Sequence, residues 1–97
     1  MNVQPLALGG LLLLTPEVFA DARGCLFESW NQRRWISTLQ AHGQQPLPFV
    51  QENHSCSRRG VLRGLHYQLP PHAQAKLVRC IQGEIFDVAV DLRPGSA

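Results

Sequence analysis

The sequence has little charge, few cysteines and no long apolar run. Only 16% of its 97 residues are charged and the net charge is +2, which argues against a nucleic acid as the main partner. Three cysteines without a CxxC pair or a zinc-binding spacing predict no disulfide framework and favour a reducing cytoplasm. The apolar stretch 6–14 is too short to cross a bilayer and has no basic flank before it, so it predicts a strand rather than a membrane or signal segment.

Lysine is also nearly absent, since Lys76 is the single lysine among nine basic residues. Arginine suits bidentate recognition of phosphate or carboxylate, although GC-rich codon usage produces the same excess. Lys76 is therefore a candidate functional group, with an ordinary surface lysine as the alternative. The length allows one small domain with a modest core.

The first half of the chain contains signals for strands and one helix. Leu11–Leu14 predicts a buried strand, and Asp21–Gly24 predicts a turn before a strand over Cys25–Trp30. Asn31 can cap a helix that runs through about Ala41, with an apolar stripe inside it and a glycine after it. The sequence thus predicts one short helix over residues 32–41.

From residue 49 onward the signals are almost all of the β type. The predicted strands are Phe49–Ser57, Val61–Leu69, Lys76–Ile81 and Glu84–Leu92, and the last two flank a Gln-Gly hairpin turn. The last strand alternates apolar and polar residues, which is typical of a half-buried strand. Short strands joined by glycine and proline turns favour an all-β sandwich or barrel.

Polar residues with catalytic or binding chemistry are concentrated between residues 51 and 76. His66 can act as a general base because imidazole side chains accept and release protons near neutral pH, and Lys76 can stabilise a developing oxyanion. Arg63 can bind a phosphate, while Gln51 and Asn53 share one face of a strand. The structural alternatives are a half-buried histidine, an edge-strand lysine, an ion-pairing arginine and exposed amides.

A metal site is not expected. The Gly60–His66 spacing fits the start of a metal-binding cupin pattern, but Gln68 stands at the second ligand position and no glutamate follows before Glu84. One histidine does not hold a divalent ion tightly.

Several segments together resemble the dTDP-4-dehydrorhamnose 3,5-epimerase family, whose members are metal-free cupin enzymes. The resemblance covers essentially the whole chain in the right order. It is carried by Asp21–Glu28, Gln51–Ser55, Gly60–Pro71, Gln74–Arg79 and Gly83–Arg93.

The resemblance implies an incomplete cupin-type jelly roll in which residues 1–97 are the N-terminal portion of a single domain. It implies that His66 is the base beside the C4 ketone and that Lys76 stabilises the enolate. No cofactor and no metal are implied. The substrate would be a dTDP-4-keto-6-deoxyhexose, and the full-length protein would be a cytoplasmic homodimer with no nucleic-acid or membrane partner. The implied substrate-binding residues are Arg23, Glu28, Gln51, Glu52, Asn53 and Arg63.

The chain departs from the family in lacking two catalytic groups. The family's tyrosine acid and its histidine-orienting aspartate match no residue of the 97, and Tyr67 adjoins the base without matching the acid. We therefore expect the chain alone to be inactive. The rival predictions are a non-catalytic sugar-nucleotide-binding fragment and a metal-dependent cupin enzyme. Sister enzymes that epimerise at one carbon only, or that isomerise the ketone, share much of the His66–Lys76 region.

Overall fold

A computed structural model describes residues 1–95 of the chain. The chain divides into two compact units, which are described separately. One contains Met1–Pro46 together with the residues from Val88 onward, and the other contains Leu47–Asp87. All the strands and the helix found among the described residues belong to the first unit.

The chain begins with a β-hairpin made of β1 (Asn2–Pro5) and β2 (Leu12–Thr15). The strands pair antiparallel, with Asn2 opposite Thr15 and Pro5 opposite Leu12. Alternate residues of β2 are half-buried, as the two-residue period of a strand requires. The strand predicted over Leu11–Leu14 is therefore confirmed, displaced by one residue.

A second antiparallel hairpin follows, made of β3 (Val18–Asp21) and β4 (Gly24–Phe27). Its two-residue turn lies where the sequence predicts one, and Gly24 has φ +130°, which a residue with a side chain rarely adopts. The strand predicted to reach Trp30 ends at Phe27 instead. Phe27 already pairs with Val18, the first residue of β3, so β4 has no further partner on this hairpin.

Helix α1 spans Gln32–Ala41 and confirms the predicted helix. The Asn31 side chain accepts a hydrogen bond from the Arg34 amide at 3.1 Å and so caps the first turn. At the other end the Gln44 amide donates to the Leu39 carbonyl at 2.8 Å, and Gly43 has φ +69°. Leu39 is the one buried hydrophobic residue in the part of the chain that the structure describes.

The unit Leu47–Asp87 contains no strand or helix, and none is found over residues 88–95 either. The four strands predicted over residues 49–57, 61–69, 76–81 and 84–92 are therefore wrong for this structure. The turn predicted at Arg58–Gly60 is present, with the Val61 amide donating to the Arg58 carbonyl at 3.3 Å.

The physical reason for the missing strands is that β-structure needs a partner. An extended segment satisfies its amide and carbonyl groups only when a neighbouring strand lies beside it, and its apolar face is buried only when a second layer covers it. Neither condition is met here, since Phe86 is 94% exposed and Leu62 is equally exposed.

Across residues 1–95, no helix is long and apolar enough to cross a membrane.

Candidate functional site

Two of the predicted binding residues belong to the unit that contains the strands and the helix. Arg23 lies in the β3–β4 turn, where its guanidinium contacts the Asp21 carboxylate with Nη2–Oδ2 at 2.6 Å and Nε–Oδ2 at 3.2 Å. Its backbone amide also donates to Asp21 Oδ1, at 2.8 Å. These hydrogen bonds lower the pKa of the Asp21 carboxyl and raise the pKa of Arg23, so both groups stay charged near neutral pH.

Glu28, the second of these residues, lies between β4 and α1. Its Oε2 accepts a hydrogen bond from Asn31 Nδ2 at 3.2 Å, and its Oε1 lies 3.6 Å from Arg34 Nε. Asn31 therefore has two roles, because its Oδ1 caps α1 while its amide nitrogen holds the Glu28 carboxylate. Glu28 keeps about half of its side-chain surface exposed, so part of the carboxylate remains accessible.

Gln51, Glu52 and Asn53 lie together in the Leu47–Asp87 unit. Gln51 Nε2 donates to Asn53 Oδ1 at 2.7 Å and also to the Glu52 carbonyl at 3.4 Å. This contact places the two amide side chains on the same side of the segment. The prediction that Gln51 and Asn53 share a face is consistent with this contact.

Arg63 is exposed and its Nε donates to Ser57 Oγ at 2.8 Å, across the Arg58–Gly60 turn. The hydroxyl uses one donor of the guanidinium, and a guanidinium has five. The remaining donors can bind an anion. The sequence does not predict Ser57 as a partner of Arg63, because the turn between them determines their distance.

His66 and Lys76 are both exposed, and within residues 1–95 neither forms a hydrogen bond or an ion pair. Their proposed roles require the two groups to face one ketone, which no contact in this unit establishes. Among the described residues, no three histidine, cysteine, aspartate or glutamate side chains are grouped as metal ligands would be.

The structure and the candidate residues define a small protein of antiparallel hairpins and one helix, with exposed arginine, amide and carboxylate side chains. The family described as dTDP-4-dehydrorhamnose 3,5-epimerase matches residues 5–97, and the chain belongs to that family. The resemblance inferred from the sequence motifs is confirmed.

Curated relatives agree with this assignment. The chain is 53% identical over 96 residues to a dTDP-4-dehydrorhamnose 3,5-epimerase of Shigella flexneri and 56% identical over 96 residues to that of Pseudomonas aeruginosa. These alignments cover 99% of the chain but 51% and 50% of the relatives. A dTDP-4-dehydrorhamnose 3-epimerase of Streptomyces niveus is 42% identical over 96 residues. The chain thus spans about half the length of the curated relatives it matches, and no solved structure matches it.

Proposed function

We propose that residues 1–97 are the N-terminal portion of a single cupin-type jelly-roll domain of a dTDP-4-dehydro-6-deoxy-D-glucose 3,5-epimerase of dTDP-L-rhamnose biosynthesis. The observation that carries the proposal is the family match over residues 5–97, with about half of the residues identical to the named epimerases. The full-length protein would act in the cytoplasm as a homodimer and without a cofactor.

The reaction needs one base and one stabiliser of negative charge. The protons on C3 and C5 of the sugar are both α to the C4 ketone, so removing either one sends an electron pair onto the same oxygen. His66 would take the proton, and the Lys76 ammonium would lie beside the enolate oxygen. A cation placed there stabilises the negatively charged transition state more strongly than it stabilises the neutral ketone. This difference accelerates the step.

The other predicted residues would hold the substrate. Arg63 and Arg23 have guanidinium donors to spare for a diphosphate, since their contacts with Ser57 and Asp21 use only part of each group. Gln51 and Asn53 offer an amide pair to sugar or base oxygens. Glu28 and Glu52 would accept hydrogen bonds from hydroxyl or imino groups.

Inversion also requires an acid that returns the proton to the opposite face of the carbon. No residue of the chain matches the family's tyrosine acid or its histidine-orienting aspartate. We therefore propose that the chain alone does not complete the epimerisation. Without an orienting carboxylate His66 would also lack control of its tautomer, which weakens it as a base.

The decisive experiment places residues 1–97 in front of the second half of the Pseudomonas aeruginosa relative. The chimera should epimerise dTDP-4-keto-6-deoxyglucose. His66→Ala should lower kcat by roughly 10²- to 10⁴-fold, the usual contribution of a general base, and Lys76→Ala by about 10²- to 10³-fold. His72→Ala is the matched control and should have little effect. Equal losses in both histidine variants, or none in His66→Ala, would refute the assignment.

A non-catalytic sugar-nucleotide-binding fragment is the second candidate function. The exposed guanidinium groups of Arg23 and Arg63 favour it, because binding an anion needs neither acid nor base. It predicts that the 97-residue chain binds dTDP by calorimetry, that Arg63→Ala weakens binding, and that no turnover accompanies it. Turnover by the purified chain, lost in His66→Ala, would exclude this candidate. Stoichiometric iron, zinc or manganese lost in His66→Ala would instead indicate a metal-dependent cupin enzyme.

A further inference from the structure

The same local motif occurs twice in the unit that contains the strands, as Asp21-Ala-Arg23 and as Asp91-Leu-Arg93. In both, the arginine amide donates to Oδ1 of the aspartate, at 2.8 and 3.0 Å. In both, the guanidinium also donates to the same carboxylate, with Nη2–Oδ2 at 2.6 Å. We call these two pairs the Asp-x-Arg motifs.

The motif fixes the orientation of the guanidinium. The carboxylate binds the edge formed by Nε and Nη2, because both nitrogens donate to it. A guanidinium has five N–H donors in a rigid plane, so this contact leaves the outer edge, formed by Nη1 and the second hydrogen of Nη2, free to bind another acceptor.

The second motif uses a spare donor within the protein. Arg93 Nη2 donates to the Gly9 carbonyl at 2.9 Å, which links the segment beginning at Val88 to the loop between β1 and β2. Asp91 is largely covered there, with 10% of its side chain exposed. This motif therefore shows that an aspartate two residues earlier can present an arginine to a separate oxygen acceptor.

The first motif has the same geometry but faces solvent. The Arg23 side chain is 91% exposed and that of Asp21 is 52% exposed. Among residues 1–95, the hydrogen bonds of the Arg23 guanidinium all go to Asp21. The outer edge of Arg23 is thus oriented toward an acceptor that this part of the chain does not supply.

We propose that Asp21 is a positioning residue that holds the Arg23 guanidinium with its outer edge ready to bind an anionic oxygen of the ligand, of the diphosphate class. The inference rests on the proposed function for Arg23 as a binding residue and assigns a role to its neighbour. An arginine that is already ordered loses less conformational freedom on binding, so preorganisation strengthens the complex. The lowered pKa of Asp21 keeps this arrangement intact at neutral pH.

The charge of Asp21 and its positioning role predict opposite changes in dTDP affinity when the carboxylate is removed. Removing a carboxylate near an anionic ligand removes a repulsion, so a purely electrostatic role predicts that Asp21→Asn binds dTDP more tightly. A positioning role predicts weaker binding, by roughly 3- to 10-fold, as expected when one flexible side chain must be ordered on binding. Asp87→Asn, which makes the same charge change at an exposed site of the other unit, is the matched control.

The experiment measures dTDP binding to the 97-residue chain by titration calorimetry and the order of the Arg23 side chain from its ¹⁵Nε signal. Weaker binding in Asp21→Asn, no effect of the same substitution in an Arg23→Ala background, and a more mobile Nε support the proposal. Unchanged or tighter binding with an ordered Nε overturns it. The cross-strand contact of Val18 with Phe27 reports that the hairpin is intact in each variant.

The two measurements also separate this proposal from the proposed function. If the wild-type chain does not bind dTDP, the proposed binding role fails for this chain, and the Nε signal still decides the positioning role. An Nε ordered in wild type and mobile in Asp21→Asn supports positioning, whereas equal order in both overturns it. If wild type binds and Asp21→Asn binds equally well, the proposed function stands and positioning is refuted.

Discussion

Residues 1–46 form two hairpins and a capped helix, whereas residues 47–87 form no strand or helix. Both regions contain apolar residues at strand-like spacing, so apolar content alone does not explain the difference. The elements of the first region are closed by contacts between residues close in sequence, such as the pairing of Asp21 with Gly24 and the Asn31 cap. Local closure costs little chain entropy.

The second region shows what strand-forming sequence does without a partner. Its apolar side chains are exposed, with Val50 at 89%, Leu62 at 94% and Phe86 at 94%. Each such side chain left in water forgoes the free energy of burial, of roughly 1.5–3 kcal/mol. The hairpins and the helix therefore form from contacts between residues close in sequence, whereas residues 47–87 form no strand although their apolar spacing predicts strands.

The largest effect is expected when the second half of a relative is joined to the chain, because residues beyond 47 should then form strands as residues 1–46 do. In the chimera with the second half of the Pseudomonas aeruginosa relative, the amides of residues 49–57 and 84–92 should become protected from hydrogen exchange by at least about a thousandfold, as for strands in a stable domain. In the 97-residue chain they should exchange nearly as fast as unstructured peptides. Equal rates in both proteins would show that residues 1–97 are not part of one such domain.

A second prediction concerns the one buried side chain. Leu39→Ala should lower the free energy of unfolding of the first region by about 2 kcal/mol, the lower end for a leucine truncation, because the surrounding core is thin. Helix content by circular dichroism should fall with it. Leu62→Ala is the control in the other region and should change stability by less than about 0.5 kcal/mol. Similar losses in both variants would mean that Leu62 is buried in solution.

The helix and the turns could be predicted because their determinants are adjacent in sequence. An asparagine cap, an apolar stripe and a glycine stop bracket residues 32–41, and no distant residue is needed. The strand predicted over Glu84–Leu92 is absent for the opposite reason. The alternation around Phe86 identifies the apolar face of a strand, but residues far away in the sequence determine whether that face is covered.

The sequence predicts some contacts of the candidate site and not others, for the same reason. The sequence predicts that Gln51 and Asn53 lie on one side of the chain, because they are two residues apart in a predicted strand. The structure contains a contact between their side chains, although it has no strand there. The contacts of Arg63 with Ser57 and of Arg23 with Asp21 depend on turn geometry, so the sequence does not predict either partner. The convergence of His66 and Lys76 remains a prediction, since it requires long-range pairing of the second region.

A smaller effect is expected at the helix cap. Asn31→Ala should destabilise α1 by about 1 kcal/mol, because the Arg34 amide loses its acceptor. Asn31→Asp keeps an acceptor for that amide but removes the donor to Glu28, so helix content should be preserved while the Glu28 carboxylate loses this hydrogen bond and keeps only its contact with Arg34. Circular dichroism measures the first effect and carboxyl NMR the second. Equal helix content in Asn31→Ala and wild type would contradict the capping role, and Asn53→Ala is the control outside the helix.

The smallest expected effect is the acid response of the first Asp-x-Arg motif. The pKa of Asp21 is lowered below its ordinary value of 3.8, first by the Arg23 side-chain hydrogen bonds and then by the backbone one. A carboxylate with a lowered pKa stabilises the folded state at pH values above its ordinary pKa, and that contribution is lost as the pH falls through the lowered value. The Arg23 Nε signal should therefore stay ordered from pH 7 to pH 5 and broaden or shift only below the ordinary value. An ordered Nε that becomes mobile between pH 7 and 5 would show that Asp21 does not hold Arg23 through its charge, and Asp21→Asn should show no acid transition at all.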